Sequence, residues 1–248
     1  MIYAIGDIHG CLDELLTMMD RISFDKEKDR LYFVGDYIDR GLKTYQMFRW
    51  LEKNVAEKCF FFVRGNHEQE YVAYIDLLNS VDSDRTILET ATMLHDRSEY
   101  FDYYGTVRGL IRNNKVNIIT LSRWADMFRC MPTNYKIDVN GQMVIVVHAG
   151  YNPGLSDNDK EEFELYAREN AYLSGGEENT IIIAGHTPTL IKDTFVYNDG
   201  EVFKYYNQDK KCTFYDIDCG CVFKGADPRA KLACIRLDDQ EIFYVKQL

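Results

Sequence analysis

Paired C-x-x-C cysteines are missing from this chain. Its seven cysteines (Cys11, Cys59, Cys130, Cys212, Cys219, Cys221, Cys234) are odd in number and scattered. That excludes a zinc ribbon and a complete disulfide framework, and reduced thiols in a cytoplasm are the expectation. Proline is scarce, with four in 248 residues, and there is no linker, internal repeat or low-complexity tract. No apolar run approaches the ~20 residues of a membrane span. The apolar start, residues 1–5, is too short for a secretory signal core and has no positive charge before it. Net positive charge is also absent. A formal charge of −11 leaves no basic face to displace counterions from a phosphate backbone, so neither nucleic acid nor membrane is expected as a partner. With 46% hydrophobic residues the chain can bury a substantial core, and one α/β domain over 1–248 is expected.

What the sequence does contain is a recurring pattern: a short apolar run that stops at a glycine and a polar cluster. Residues 31–34 (Leu-Tyr-Phe-Val) read as a buried strand ending in Gly35-Asp36-Tyr37-Ile38-Asp39-Arg40-Gly41. Two carboxylates and a guanidinium on one loop suit a hard cation beside a phosphate. Residues 2–5 end likewise in Gly6-Asp7-Ile8-His9-Gly10, and 59–63 in Arg64-Gly65-Asn66-His67-Glu68. Helices with an apolar stripe are expected over 11–22 and 45–55. Three strand, loop, helix units in succession argue a sheet whose ligands bind at the carboxyl ends of its strands. Residues 69–135 read as a helical insertion with helical segments at 71–78, 87–94, 103–112 and 118–128. A hairpin at 136–147, turning at Asn140-Gly141, then leads to His148-Ala149-Gly150. After a helix around 161–169, a strand at 180–184 stops at Gly185-His186-Thr187. The tail reads as short strands at 195–197, 202–206, 212–217, 232–237 and 242–245. The order predicts a four-layer α/β/β/α sandwich of two mixed sheets with all the polar loops at one edge.

Four of the five histidines (His9, His67, His148, His186) directly follow a strand inside a glycine-containing loop; only His95 lies elsewhere. One such histidine would be unremarkable packing, but four at equivalent positions beside Asp7, Asp36 and Asn66 indicate a metal centre. Asp7 and His9, two residues apart in extended backbone, face one side. Asp36 can bridge two ions, with Asn66, His148 and His186 completing the shell. This oxygen and nitrogen set without thiolate suits two divalent ions of Mn, Fe or Zn. Asn66 and His67 are neighbours and must diverge, which frees His67 as a proton donor to a leaving group, oriented by Asp39. Arg40 would neutralise phosphate oxygens. Arg64 and Glu68 are assigned to supporting the loop and starting the next helix, and no cysteine has the cationic setting of a nucleophile.

These five loops, in this order, resemble the motifs of the phosphoprotein phosphatase family of metallophosphoesterases. The Asp218-Cys219-Gly220-Cys221 stretch and compact length are closer to its bacterial and phage-type members. The resemblance implies a first metal on Asp7, His9 and Asp36 and a second on Asp36, Asn66, His148 and His186. It also implies His67 with Asp39 as the acid pair, Arg40 on phosphate, and in-line attack by a metal-bridging hydroxide. Arg168 is similar to the phage-type enzymes' second phosphate-binding arginine. Three functions are open: hydrolysis of phosphoserine or phosphothreonine in proteins, which leads; hydrolysis of symmetrical dinucleoside polyphosphates; and metal-bound interaction without turnover. The intact His67, Asp39 and Arg40 argue against the last.

Overall fold

The computed structural model describes residues 1–81, 85–97, 102 and 104–246. Two five-stranded mixed sheets face each other. The first has the order β10-β9-β1-β2-β3, built from β1 (Ile2–Ile5), β2 (Arg30–Phe33), β3 (Phe60–Phe62), β9 (Lys231–Arg236) and β10 (Ile242–Lys246). The second has the order β4-β5-β6-β8-β7, from β4 (Asn134–Val139), β5 (Gln142–Val147), β6 (Thr180–Ala184), β7 (Phe203–Asn207) and β8 (Cys212–Asp216). β1, β2 and β3 run parallel, as do β5, β6 and β8, while β9 pairs antiparallel with both β1 and β10, and β4 and β7 pair antiparallel with β5 and β8.

Strand periodicity of two explains the layers. In the first sheet Tyr3, Ile5, Leu31, Phe33, Phe60 and Phe62 point outward to a core shared with helices. Their alternates Ala4, Tyr32, Val34 and Val63 point inward, meeting Val144, Val146, Ile183 and Tyr215 of the second sheet. The other face of the second sheet, with Ile145, Val147, Ile182 and Phe214, packs on Ala167 and Ala171. Strands apolar on both faces can only lie between layers, and the result is helix, sheet, sheet, helix. The outer helices are α1 (Leu12–Arg21) and α2 (Thr44–Asn54) on one side, and α7 (Asp157–Tyr166) and α8 (Glu169–Leu173) on the other.

Between β3 and β4 the chain is helical, as expected: α3 (Asn66–Ser80), α4 (Ile87–Arg97), α5 (Thr106–Asn114) and α6 (Ile118–Arg129). Tyr103, the first residue of the 103–112 segment, lies outside the described residues. His95 is on α4, away from the strand ends that carry the other four histidines. Residues 195–197, read as a strand from the alternation Phe-Val-Tyr, form turns instead. Local bonds take the backbone there: the Tyr197 amide donates to the Thr194 carbonyl (3.2 Å), and the Asn198 and Gly200 amides both donate to that of Thr189 (2.9 and 3.2 Å). Turn formers on both sides, Asp193-Thr194 and Asn198-Asp199-Gly200, win over a three-residue β pattern.

Candidate active site

The carboxyl ends of β1, β2, β3, β5 and β6 converge, and each delivers one of the five polar loops. His9 sits in the loop after β1 at φ 43°, and Asp36, Asp39 and Arg40 follow β2 at φ 53°, 68° and 63°. Asn66 and His67 open α3, so their side chains diverge by about 100° around the helix. Close approach demands glycine at two points: a Cβ on Gly65 would stand 2.2 Å from Asp36 Oδ1, and one on Gly185 would stand 2.0 Å from Asp7 Oδ1.

The histidine tautomers follow from their partners. His9 Nδ1 lies 2.8 Å from the Ile38 carbonyl and His148 Nδ1 lies 3.0 Å from that of Val34. A carbonyl can only accept, so each Nδ1–H donates and each Nε2 turns its lone pair into the site. Asn66 is oriented similarly, since its Nδ2 donates to Glu70 Oε1 (3.3 Å) and its Oδ1 points inward. There His148 Nε2 lies 3.0 Å from Asn66 Oδ1, 3.1 Å from His186 Nδ1 and 3.4 Å from Asp36 Oδ1. Asn66 Oδ1 is also 3.0 Å from His186 Nδ1. Lone-pair atoms crowded together without enough protons repel, unless a cation sits between them. Ligands about 2.1 Å from an ion are about 3.0 to 3.4 Å apart in octahedral or tetrahedral shells, the spacing seen here.

Asp36 faces both sides: Oδ1 toward His148, and Oδ2 3.5 Å from His9 Nε2. Asp7 Oδ2 accepts from the His186 amide (3.0 Å), while its Oδ1 is buried without a partner. An orphaned carboxylate oxygen of this kind is what a cation would satisfy. The residues therefore fit divalent metal ions. Charge states agree with this. Burial lowers His9 to about 3, against the pull of Asp36, and lowers His148 and His186 too, keeping all three as neutral donors. Burial would raise Asp36, yet it stays below the usual carboxylate range; with His148 and His9 neutral, the positive charge that holds it there is that of His67. Burial, then Asp218 and Asp36, push Asp7 well up, the strain of an acid short of positive charge.

His67 points the other way. Its Nδ1–H donates to Asp39 Oδ2 at 2.6 Å, and its Nε2 faces Arg40 Nη2 at 3.2 Å. Burial would lower this imidazole, yet Asp36 and then Asp39 raise it to about 9. Asp39 Oδ1 is held in turn by the Thr106 hydroxyl from α5. The Arg40 guanidinium also contacts His9 Nε2 (3.2 Å), donates to the Tyr104 hydroxyl (3.0 Å) and lies 5.0 Å from that ring's centre. Arg168, at the start of α8, donates to the Thr187 hydroxyl (3.4 Å). With Arg40, Tyr104, His186, Ile191 and Phe223 it lines a cavity of about 620 Å³ opening over the site.

All ten residues singled out from the sequence thus lie in or on the rim of one site. Several partners were not anticipated. Thr106 and Tyr104 come from the helical region, where nothing in the spacing marks them. Glu68 does open α3, but its buried carboxylate also accepts from four amides: Asp36 and Gly65 on Oε2 (2.9 and 3.1 Å), and Tyr37 and Ile38 on Oε1 (2.9 and 3.3 Å). Arg64 supports its loop as expected, its backbone amide bonding the Pro132 carbonyl and its side chain Glu161.

Two facing mixed sheets that bring carboxylates, imidazoles, an amide oxygen and an arginine to their strand ends define a metal-dependent phosphoesterase. The chain belongs to the calcineurin-like phosphoesterase family, whose model matches residues 1–219. It is 44% identical over 71 residues to a symmetrical bis(5'-nucleosyl)-tetraphosphatase of Aliivibrio salmonicida, a match covering 29% of this chain and 25% of that protein. It is 35% identical over 115 residues to the protein of the same name from Actinobacillus succinogenes, covering 46% and 41%. The matched stretches therefore span well under half of those relatives. A metallophosphoesterase structure from Sphaerobacter thermophilus superimposes with a TM-score of 0.52 at 15% identity, over 100% of this chain and 88% of that one, which shows the shared fold. Among the described residues no helix is long and apolar enough to cross a membrane.

Proposed function

We propose that this chain hydrolyses symmetrical dinucleoside polyphosphates, using two divalent ions of Mn, Fe or Zn. The observation that carries the reading is the naming of its relatives as symmetrical bis(5'-nucleosyl)-tetraphosphatases. The cavity is compatible with it: Arg40 and Arg168 supply positive charge for a polyphosphate, and Tyr104 and Phe223 supply aromatic faces for a base. A volume of about 620 Å³ is ample for one nucleotide half. Hydrolysis of phosphoserine or phosphothreonine in proteins, the first expectation from the sequence, has no comparable support and becomes the competing reading. A cytoplasmic location fits both the nucleotide substrate and seven unpaired cysteines.

In this reading Asp7, His9 and Asp36 hold one ion, and Asp36, Asn66, His148 and His186 hold the other. The ions would supply Lewis acidity and an activated water. Arg40 and Arg168 bind and orient the phosphates. His67, charged by Asp39 and Asp36, donates a proton from Nε2 to the departing phosphate oxygen, and Asp39 fixes its ring. Tyr104 steadies the Arg40 guanidinium through its hydroxyl and its ring face.

The test supplies the purified chain, loaded with Mn, with diadenosine tetraphosphate, a phosphoserine peptide and an aryl phosphate. The reading expects two molecules of ADP from the dinucleotide at a kcat/KM well above that for the peptide. Efficient peptide dephosphorylation with a slow or absent dinucleotide reaction would reverse the assignment.

A further inference from the structure

Outside the site already described, a second set of metal-competent side chains converges on the far side of the loop that carries His9. Cys11 stands immediately before α1, and Glu14, three residues on, occupies the same face of its first turn. Cys221 begins the 3-10 turn Cys221–Gly225 that follows β8. One ligating atom from each, two sulfurs and a carboxylate oxygen, lies within 4.8 Å of the others. All three are deeply buried, with 4%, 1% and 3% exposure. The carboxylate is the informative member. Lys224 pairs with Oε1 of Glu14, whereas Oε2 is buried with no hydrogen-bond partner. Cys11 Sγ makes a long contact, 3.8 Å, to the His9 carbonyl and is hydrogen-bonded to the Cys221 thiol. A core position has no use for a carboxylate oxygen left unsatisfied.

We propose that Cys11, Glu14 and Cys221 form a separate binding site for a thiophilic divalent cation, with Zn2+ the best fit. Two thiolates and a carboxylate carry three negative charges, and Lys224 contributes one positive charge, so a divalent ion brings the cluster to neutrality. Sulfur ligands select Zn2+ over Mn2+ or Mg2+, the opposite preference from an oxygen-rich shell. Binding releases the two thiol protons to solvent and involves no redox change. A cavity of about 390 Å³ lined by Gly10, Cys11, Glu14, Val222 and Lys224 adjoins the cluster and leaves room for entry and for a water as fourth ligand. The ion would clip the start of α1, two residues beyond His9, to the turn three residues beyond Asp218. Its effect is therefore on the rigidity of the His9 loop rather than on chemistry.

Sulfur makes the site separable from the histidine and carboxylate centre, which contains none. The full chain, kept reduced under anaerobic conditions and stripped with chelator, is titrated with Co2+, and the near-ultraviolet sulfur-to-cobalt charge-transfer absorption is followed. The band is expected in the native chain and in Cys219→Ala and Cys130→Ala, and should be displaced by Zn2+ supplied in excess of all the sites. It should be lost in Cys11→Ser and Cys221→Ser, and Glu14→Gln should weaken Zn2+ binding by at least about tenfold. Independently of any variant, Zn2+ should slow alkylation of Cys11 and Cys221 in the native chain, mapped by peptide mass spectrometry, while leaving the exposed Cys130 unchanged. No charge-transfer band in the native chain, a band that survives both Cys11→Ser and Cys221→Ser, or alkylation indifferent to Zn2+ would overturn the proposal.

Discussion

Replacing Glu68 by Gln tests how the Asp36 loop is held. The carboxylate accepts from four backbone amides at 2.9 to 3.3 Å, two on each oxygen. Glutamine has one oxygen and one NH2 group. Whichever way the amide turns, the NH2 confronts two N–H donors, either those of Asp36 and Gly65 or those of Tyr37 and Ile38. Leaving a buried donor unpaired costs about 1 to 3 kcal/mol, so two such losses predict roughly 2 to 6 kcal/mol. That is a large part of the 5 to 15 kcal/mol typical of a folded protein. Burial, then Asp36, push this carboxyl up to about 8, so the comparison belongs at pH 9, where the native side chain is ionised. Urea unfolding should show a lower midpoint at an unchanged slope. Metal retention should fall too, because Asp36 rides on the loop. A loss below about 1 kcal/mol at pH 9 would refute the reasoning, because it would mean that the amides are satisfied without the carboxylate.

His67→Asn should lower kcat in proportion to leaving-group basicity, by about 10² to 10⁴-fold for an alkyl phosphate and far less for an aryl phosphate; equal losses on both would remove His67 as the proton donor. Thr106→Val removes the hydroxyl that holds Asp39, so it should copy the His67→Asn substrate pattern at reduced size, about tenfold for one lost hydrogen bond; an unchanged alkyl phosphate rate would dismiss Thr106 as a positioning residue. Asp218 is raised to about 6, chiefly by burial, against the Gly220 amide and Arg40. A carboxyl raised on folding is most favourable below its unfolded pKa and loses stability as pH climbs to the folded value. In chelated protein, Asp218→Asn should gain on the native chain by up to about 3 kcal/mol between pH 4 and pH 7; parallel stability curves over that window would exclude it.

The candidate ligand set is legible in the sequence because it is local. A strand, a glycine and a cluster of Asp, Asn or His is a pattern within seven residues, and five repeats of it fix where the sheet edge must be. The layers were legible for the same reason, since strands such as 31–34 and 144–147 are apolar on both faces and must lie between others. The supports were not legible because their partners are distant in sequence: Thr106 is 67 residues from Asp39, and Tyr104 is 64 from Arg40. The wider role of Glu68 is hidden in the sequence for a different reason. A glutamate three residues after a helix cap has a ready local explanation, and the four amides it serves become visible only once the β2 loop folds over it. The turn at 195–197 is not legible in the sequence, because three alternating residues carry no information about whether a neighbouring strand exists.

The spare valences of the candidate ligands account for how so strained a site stays in place. Five of the thirteen non-glycine residues with positive φ among those described are His9, Asp36, Asp39, Arg40 and His186, all in the site. Such conformations cost on the order of 1 kcal/mol or more each, and persist only where the surroundings fix them. Here the fixing is done across loops by the same side chains that face the interior of the site. Asp7 reaches from the β1 loop to the His186 amide, Asp36 from the β2 loop to the His67 amide, and His148 from the β5 loop to the Val34 carbonyl. Asp7 and His148 each have one atom directed to the site and another binding the backbone of a different motif, while Asp36 accepts that backbone bond on Oδ1, which also faces His148, and turns Oδ2 to His9. Removing any one of them should therefore displace a neighbouring loop as well as delete a ligand, so losses from pairs of such substitutions should fall short of additivity.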